Sequence, residues 1–264
     1  MYPHGRQTVN RLPLSVTQRN RTNNAGLRIR LYQLLSVPVF AILYPYTAIG
    51  VVIVIILSWF KAIRVIRFLI KIWAKSVFFI MGKKLRITGR NNIDKNEKYI
   101  LTANHASLFD IVAIMSFYPE VSWFGHERLL KVPLFNHFLR VTDYVPFREP
   151  TVTNTRHMLN QLFEKAEKQS VALFPEGTRT RDGRINPFYR GFIYLFRTRE
   201  IGILPVTLNG FYRLKPKNRF YIDFGTKLDV TIHQPIPREE LIDKNDREIM
   251  ERVRTIIESA HHQY

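Results

Sequence analysis

The chain has 264 residues, a net charge of +19 and no cysteine, so it can bury one full core plus an appendage, while disulfides, cysteine metal sites and cysteine nucleophiles are excluded. Residues 1 to 84 hold 13 Lys or Arg and no Asp or Glu, against 27 basic and 21 acidic residues in the other 180, so +13 of the charge lies in the first third. A nucleic-acid partner is disfavoured, because an uncharged run of thirty residues, Leu31 to Phe60, separates the basic clusters and no nucleic-acid module is visible.

Residues 1 to 30 carry six Arg among Asn, Thr, Gln and Gly, the composition of a disordered basic tail. Leu31 to Phe60 exceeds the ~20 helical residues that cross a bilayer core. Pro38, Pro45 and Gly50 interrupt it and both flanks are basic, which favours a bent hairpin dipping into one leaflet with both ends cytoplasmic; a single span is the alternative. From Lys61 to Phe79 basic residues recur every three or four positions among Ile, Val, Phe, Leu and Trp, the pattern of a basic amphipathic helix on an anionic interface. A membrane location follows, with the remainder of the chain on the cytoplasmic face.

Beyond residue 83 strands alternate with helices. Strands are expected at 85–88, 98–103, 121–125, 143–147, 170–174, 201–207 and 218–231, and helices at 107–117, 127–140, 151–168, 188–198 and 246–260. The division is therefore a tail (1–30), a membrane-inserted and amphipathic segment (31–82) and an α/β domain (83–264) with a mixed sheet flanked by helices.

Two motifs carry chemistry. In Asn104-His105-Ala106-Ser107-Leu108-Phe109-Asp110 a buried strand gives way to a helix, with Ser107 and Asp110 in capping-box spacing. On one continuous helix His105 and Asp110 would lie about 140° apart on the wheel, so the histidine must precede the helix and fold back, where Asp110 can accept one ring N–H and leave the other nitrogen free as a base. The second motif, Phe174-Pro175-Glu176-Gly177-Thr178-Arg179, ends a strand in a turn. Gly177 permits positive φ, which would expose backbone N–H groups, and Arg179 can fork onto phosphate oxygens. Each motif alone is commonly an ordinary cap or turn; together they suggest a site that deprotonates a hydroxyl beside an anionic group.

In this order and separation the blocks NHASLFD and FPEGTRT resemble those of the phospholipid/glycerol acyltransferase family, typified by 1-acyl-sn-glycerol-3-phosphate acyltransferases. Val145-Pro146-Phe147-Arg148 and Ile203-Leu204-Pro205-Val206 fit two weaker blocks, and the resemblance covers about residues 83 to 237. It implies that His105 is the general base, that Asp110 orients it, and that Arg148 and the turn residues Glu176, Gly177, Thr178 and Arg179 bind a lysophospholipid acceptor. An acyl-CoA or acyl-carrier-protein thioester would be the donor, with no bound cofactor or metal; 1-acylglycerol-3-phosphate would be the acceptor and phosphatidic acid the product, with another lysolipid or glycerol-3-phosphate as the alternative acceptor. The chain departs from the family pattern in four places: Thr142 and Asp143 replace a glycine, His126 and Glu127 stand where a lysine phosphate contact is common, Thr180 replaces a serine, and Phe192 replaces a small residue. A serine hydrolase would need a Gly-x-Ser-x-Gly elbow, which is missing, and the eight histidines lack metal-ligand spacing. A noncatalytic lipid-binding scaffold is the rival from another class; it has no use for a His105–Asp110 pair.

Overall fold

The computed structural model describes residues 16–131, 135–147, 161 and 164–262. The chain opens with a 44-residue helix, α1 (Val16–Trp59), followed after three residues by α2 (Ile63–Ile80). This corrects two expectations. Val16 to Arg30 is helical rather than a tail, and the helix runs unbroken through Pro38, Pro45 and Gly50. A proline removes one backbone donor and crowds the preceding turn, which bends a helix without requiring the chain to reverse. The reversal comes at Phe60-Lys61-Ala62, where Lys61 takes φ +53° and α2 returns beside α1. Tyr46 and Ser76 share a hydrogen bond of 2.6 Å across the pair, and the Trp73 indole donates to Thr47 at 3.3 Å.

Ala25–Trp59 is long and apolar enough to cross a membrane, and little of it is covered by protein. In α2 the buried residues Ile66, Ile70, Ala74, Val77 and Phe78 recur at helical spacing and form one stripe. The stripe faces α3 (Phe109–Phe117), with Phe78 and Phe109 ring centroids 6.4 Å apart. Ile63, Val65, Phe68 and Ile72 stay exposed on the rest of α2. The helix thus serves as a core wall and as an uncovered apolar surface at once.

Seven strands form one sheet in the order β1-β7-β6-β2-β5-β3-β4, namely β1 Leu85–Thr88, β2 Tyr99–Ala103, β3 Val121–His126, β4 Val145–Phe147, β5 Ser170–Leu173, β6 Gly202–Asn209 and β7 Leu228–Ile232. Among the described residues the β6–β7 strand pairing is antiparallel and the other five are parallel, so the sheet is mixed as expected. Alternate residues feed two cores: Leu101 and Ala103 of β2 point to the α1–α3 side, and Ile100 points to the side covered by α5 (Gly191–Thr198) and α6 (Asp246–Ser259). The expected capping box forms at α6, where Glu248 N–H donates to Asn245 Oδ1 at 3.0 Å and Asn245 N–H to Glu248 Oε2 at 2.8 Å.

Three element expectations change. The helix expected over 127–140 is a 3-10 turn at Glu127–Lys131 and a short α4 at Phe135–Val141; Pro133 lies in the interval, and the residue before a proline disfavours helix. Of the helix expected over 151–168, only 161 and 164–168 are described, and they are helical. The strand expected over 218–231 shrinks to Leu228–Ile232. Residues 222–224 meet α1 instead of a neighbouring strand: Ile222 N–H donates to Ser36 Oγ at 2.8 Å, Phe224 meets Tyr32 edge-on at 5.6 Å, and Asp223 lies 3.7 Å from Arg28.

Candidate active site

The C-terminal ends of adjacent parallel strands β2 and β5 deliver the two motifs to one edge of the sheet, since Thr102 and Leu173 are register partners. Asn104 fixes where β2 lets go. Its buried amide accepts from Leu208 N–H at 2.7 Å and donates to Leu208 C=O at 2.9 Å, replacing one further rung of the β2–β6 ladder. The next residue, His105, is then free to turn out of the sheet.

His105 Nδ1 lies 2.8 Å from Asp110 Oδ2, and the same oxygen accepts the N–H groups of Ala106 (2.6 Å) and Ser107 (2.8 Å). A carboxylate that already takes two backbone N–H groups can only accept, which assigns the proton of the neutral ring to Nδ1 and the free lone pair to Nε2. The ring is clamped flat against Phe174, centroids 3.9 Å apart and planes 11° from parallel, and Trp123 stacks behind Phe174 at 5.8 Å. Only half of the expected capping box exists. Asp110 reaches back to the Ser107 N–H, but the Ser107 hydroxyl donates to Lys215 C=O at 2.8 Å, across the site.

The second motif holds His105 by its backbone. Glu176 Oε1 accepts the His105 N–H at 2.6 Å, and the His105 carbonyl accepts the Thr180 N–H at 2.8 Å. Glu176 Oε2 takes the Asn186 N–H at 2.8 Å. Glu176, assigned to acceptor binding by resemblance, is thus 1% exposed with both oxygens engaged by the main chain, the geometry of a brace. Gly177 has φ +65°, and a Cβ there would sit 3.2 Å from the Tyr189 ring, so the turn needs glycine on two counts. The Gly177 N–H is spent on Phe174 C=O. Thr178 is exposed, and its N–H and that of Arg179 have no hydrogen-bond partner among the described residues.

Burial pushes the Glu176 carboxyl up to about 7, against the pull of the Asn186 and His105 donors. Between the ordinary 4.5 and about 7 the folded state holds a proton that the unfolded chain has released, so stability falls as pH rises through that window and is level above it. Glu176→Gln should therefore lower Tm at pH 8, because an amide N–H faces a backbone N–H, yet flatten the decline between pH 5 and 7.5 by on the order of a few kcal/mol. Parallel Tm-against-pH curves for the two detergent-solubilised proteins would contradict this.

Arg179 is half-buried near Asp110, whose charge partly offsets the burial that lowers the guanidinium's pKa. Lys215, absent from the sequence-derived site, lies close enough to Arg179 and Arg219 for their charges to depress its pKa, after burial as the main cause. Arg219 is pinned by the carbonyls of Arg213 and Leu214 and lies over the Tyr221 ring at 4.6 Å. Neither Arg179 nor Lys215 has a carboxylate within ion-pair distance among the described residues. Half-buried cations with no ion-pair partner attract an anion to their side of the turn. Lys215 thereby brings a cation to a chain that lacks the customary lysine at 126–127, and no spacing in the sequence pointed to it. Arg148 lies outside the described residues.

Where the family pattern has a glycine, Asp143 adopts φ +58°, the left-handed conformation that Asp tolerates better than most residues, and its carboxylate is held by Lys165 and Gln169. The turn before β4 therefore survives without glycine. Phe192 is fully buried in the core behind the sheet.

Residues 84–209, which hold the paired motifs and most of the sheet, match the family described as Acyltransferase. A chloroplastic 1-acyl-sn-glycerol-3-phosphate acyltransferase of Brassica napus is 27% identical over 155 residues, covering 58% of this chain and 45% of that protein. A 1-acyl-sn-glycerol-3-phosphate acyltransferase of Borreliella burgdorferi is 29% identical over 161 residues, covering 60% and 63%. The chain thus spans about half the length of the curated relatives it matches. The crystal structure of the 1-acyl-sn-glycerophosphate acyltransferase PlsC from Thermotoga maritima shares the fold, with a TM-score of 0.75 at 24% identity over 86% of this chain and 95% of that one.

Proposed function

We propose that the protein is a membrane-bound O-acyltransferase that moves an acyl group from an acyl-CoA or acyl-carrier-protein thioester to the free hydroxyl of 1-acylglycerol-3-phosphate, forming phosphatidic acid. The observation that carries the reading is the free Nε2 of an oriented His105 beside the uncompensated cations Arg179 and Lys215. The names of the relatives support the acceptor. The cations hold the acceptor phosphate while His105 Nε2 takes the hydroxyl proton, and the oxygen attacks the thioester carbonyl. The Thr178 and Arg179 N–H groups, unspent within the turn, are the donors for the tetrahedral oxyanion. The attack forms the C–O bond; collapse of the tetrahedral intermediate restores the carbonyl, breaks the C–S bond and returns the His105 proton to the departing sulfur. A panel of thioester donors and lysolipid acceptors assayed by lipid mass spectrometry tests the reading. Phosphatidic acid should dominate, and no acylated product from any pair would refute it.

The exposed apolar surface of α1 and α2, with Trp59 and Phe60 at its tip, supports a membrane location for this chemistry. The protein should accordingly stay in the pellet during carbonate extraction. Complete release by high salt would mean that charge alone holds it to the bilayer.

A further inference from the structure

At the end of the sheet opposite His105 lies a cavity of about 570 Å³ bounded by α2 on one side and the α/β domain on the other. Six cations border it: Arg67 and Lys71 from α2, Arg90 after β1, Lys95 and Lys98 before β2, and Lys168 before β5. Its only acidic lining residues among those described are Glu97 and Glu120, so the wall carries a net +4. Two of the cations rest on neutral acceptors, Arg67 on the Gln169 side chain and Lys98 on the Glu167 carbonyl at 2.6 Å. Lys71, Arg90, Lys95 and Lys168 make no ion pair among the described residues. A hydrogen-bonded group lies at the cavity wall, where the Tyr118 hydroxyl and Ser170 Oγ share a 2.6 Å bond and Ser170 accepts the Tyr99 N–H at 2.9 Å.

Convergent, unneutralised cations repel one another, and a multivalent oxyanion with several acceptor oxygens relieves that repulsion best. The rim narrows the choice further. Phe68 and Ile72, next in sequence to Arg67 and Lys71, are exposed on α2, so an apolar surface adjoins the charged cavity, the layout that takes a headgroup and its chains together. The five residues of β2, at ~3.3 Å each, separate this cavity from the His105 end by roughly 17 Å, too far for one headgroup to touch both.

We propose that this cavity is a second anionic site, which binds the phosphate of a membrane phospholipid headgroup and is separate from the acceptor subsite. Occupancy ties the N-terminal edge of the sheet to the bilayer through the same helix, α2, that walls the core.

The test uses the full chain in phosphatidylcholine nanodiscs, with amine-labelling rates at Lys95 and Lys168 read by mass spectrometry against exposed Lys84. Doping the discs with phosphatidylglycerol should slow both lysines about fivefold relative to Lys84. The Lys71→Gln/Arg90→Gln variant should lose that protection, and Arg64→Gln/Lys75→Gln, which removes equal charge from exposed parts of α2, should keep it. A parallel arm adds inorganic phosphate to undoped discs. Protection by phosphate but not by phosphatidylglycerol would overturn the lipid as the source. No protection in either arm, or equal loss in both variants, would overturn the site. The readout needs no turnover, so it stands or falls apart from the acyltransferase reading.

Discussion

Replacing His105 by alanine is expected to lower kcat by roughly two to four orders of magnitude, about 3 to 5 kcal/mol of barrier, while the protein folds normally. The reason is that its imidazole and its backbone are held separately. Asp110 and Phe174 hold the ring, whereas Glu176 and Thr180 hold the main chain, so removing the ring leaves the turn clamped. Asp110→Asn should cost comparable activity but differ in stability. Asp110 Oδ2 also accepts the Ala106 and Ser107 N–H groups, and an amide that keeps its oxygen for them still loses the charge favouring Nδ1–H. Measured at saturating acceptor, kcat should fall for both variants and Tm should drop only for Asp110→Asn. Activity of His105→Ala within a few-fold of wild type would remove the histidine as base.

Arg179→Lys and Lys215→Gln should each reduce kcat/KM on 1-acylglycerol-3-phosphate about tenfold to a hundredfold, the ~1.5 to 3 kcal/mol of a hydrogen bond to a charged group. Lysine keeps the charge of Arg179 but not the planar fork, so a large effect from that conservative change would mark bidentate contact with phosphate. Either variant should lose much less on a neutral monoacylglycerol, if turnover on that acceptor is measurable. Equal losses on both acceptors would assign Arg179 and Lys215 to holding the turn. The two cations are neighbours with a shared target, so their double variant should lose less than the product of the single losses.

Some features needed no tertiary context. The His105–Asp110 pairing follows from chain geometry, because only a histidine ahead of the helix can reach a carboxylate in its first turn, and that is how α3 begins. The α6 cap and its buried Ile249, Val253 and Ile257 are also local, set by a capping box and helical spacing. What long-range packing decided lies where a residue's partner is distant in sequence. Glu176 reads as a ligand-facing acid in its turn, yet it is turned inward because a backbone N–H 71 residues away needs an acceptor. Phe220 to Phe224 has strand composition, but Ile222 and Phe224 meet α1 while Phe220 stays exposed, so contacts with a distant helix outweigh strand propensity there. The α1–α2 hairpin turns at Lys61 instead of at a proline, and α2 from there buries its stripe against α3. Lys215 enters the site through a contact 108 residues long, from Ser107 to its carbonyl, and no periodicity or motif encodes a contact of that range. The sequence by itself determined the resemblance carried by the two motifs, the mixed α/β character of the domain and the imidazole–carboxylate pair. The tertiary structure alone determined which charges face that pair and which brace it, because burial and counter-ion distance are properties of the packed molecule.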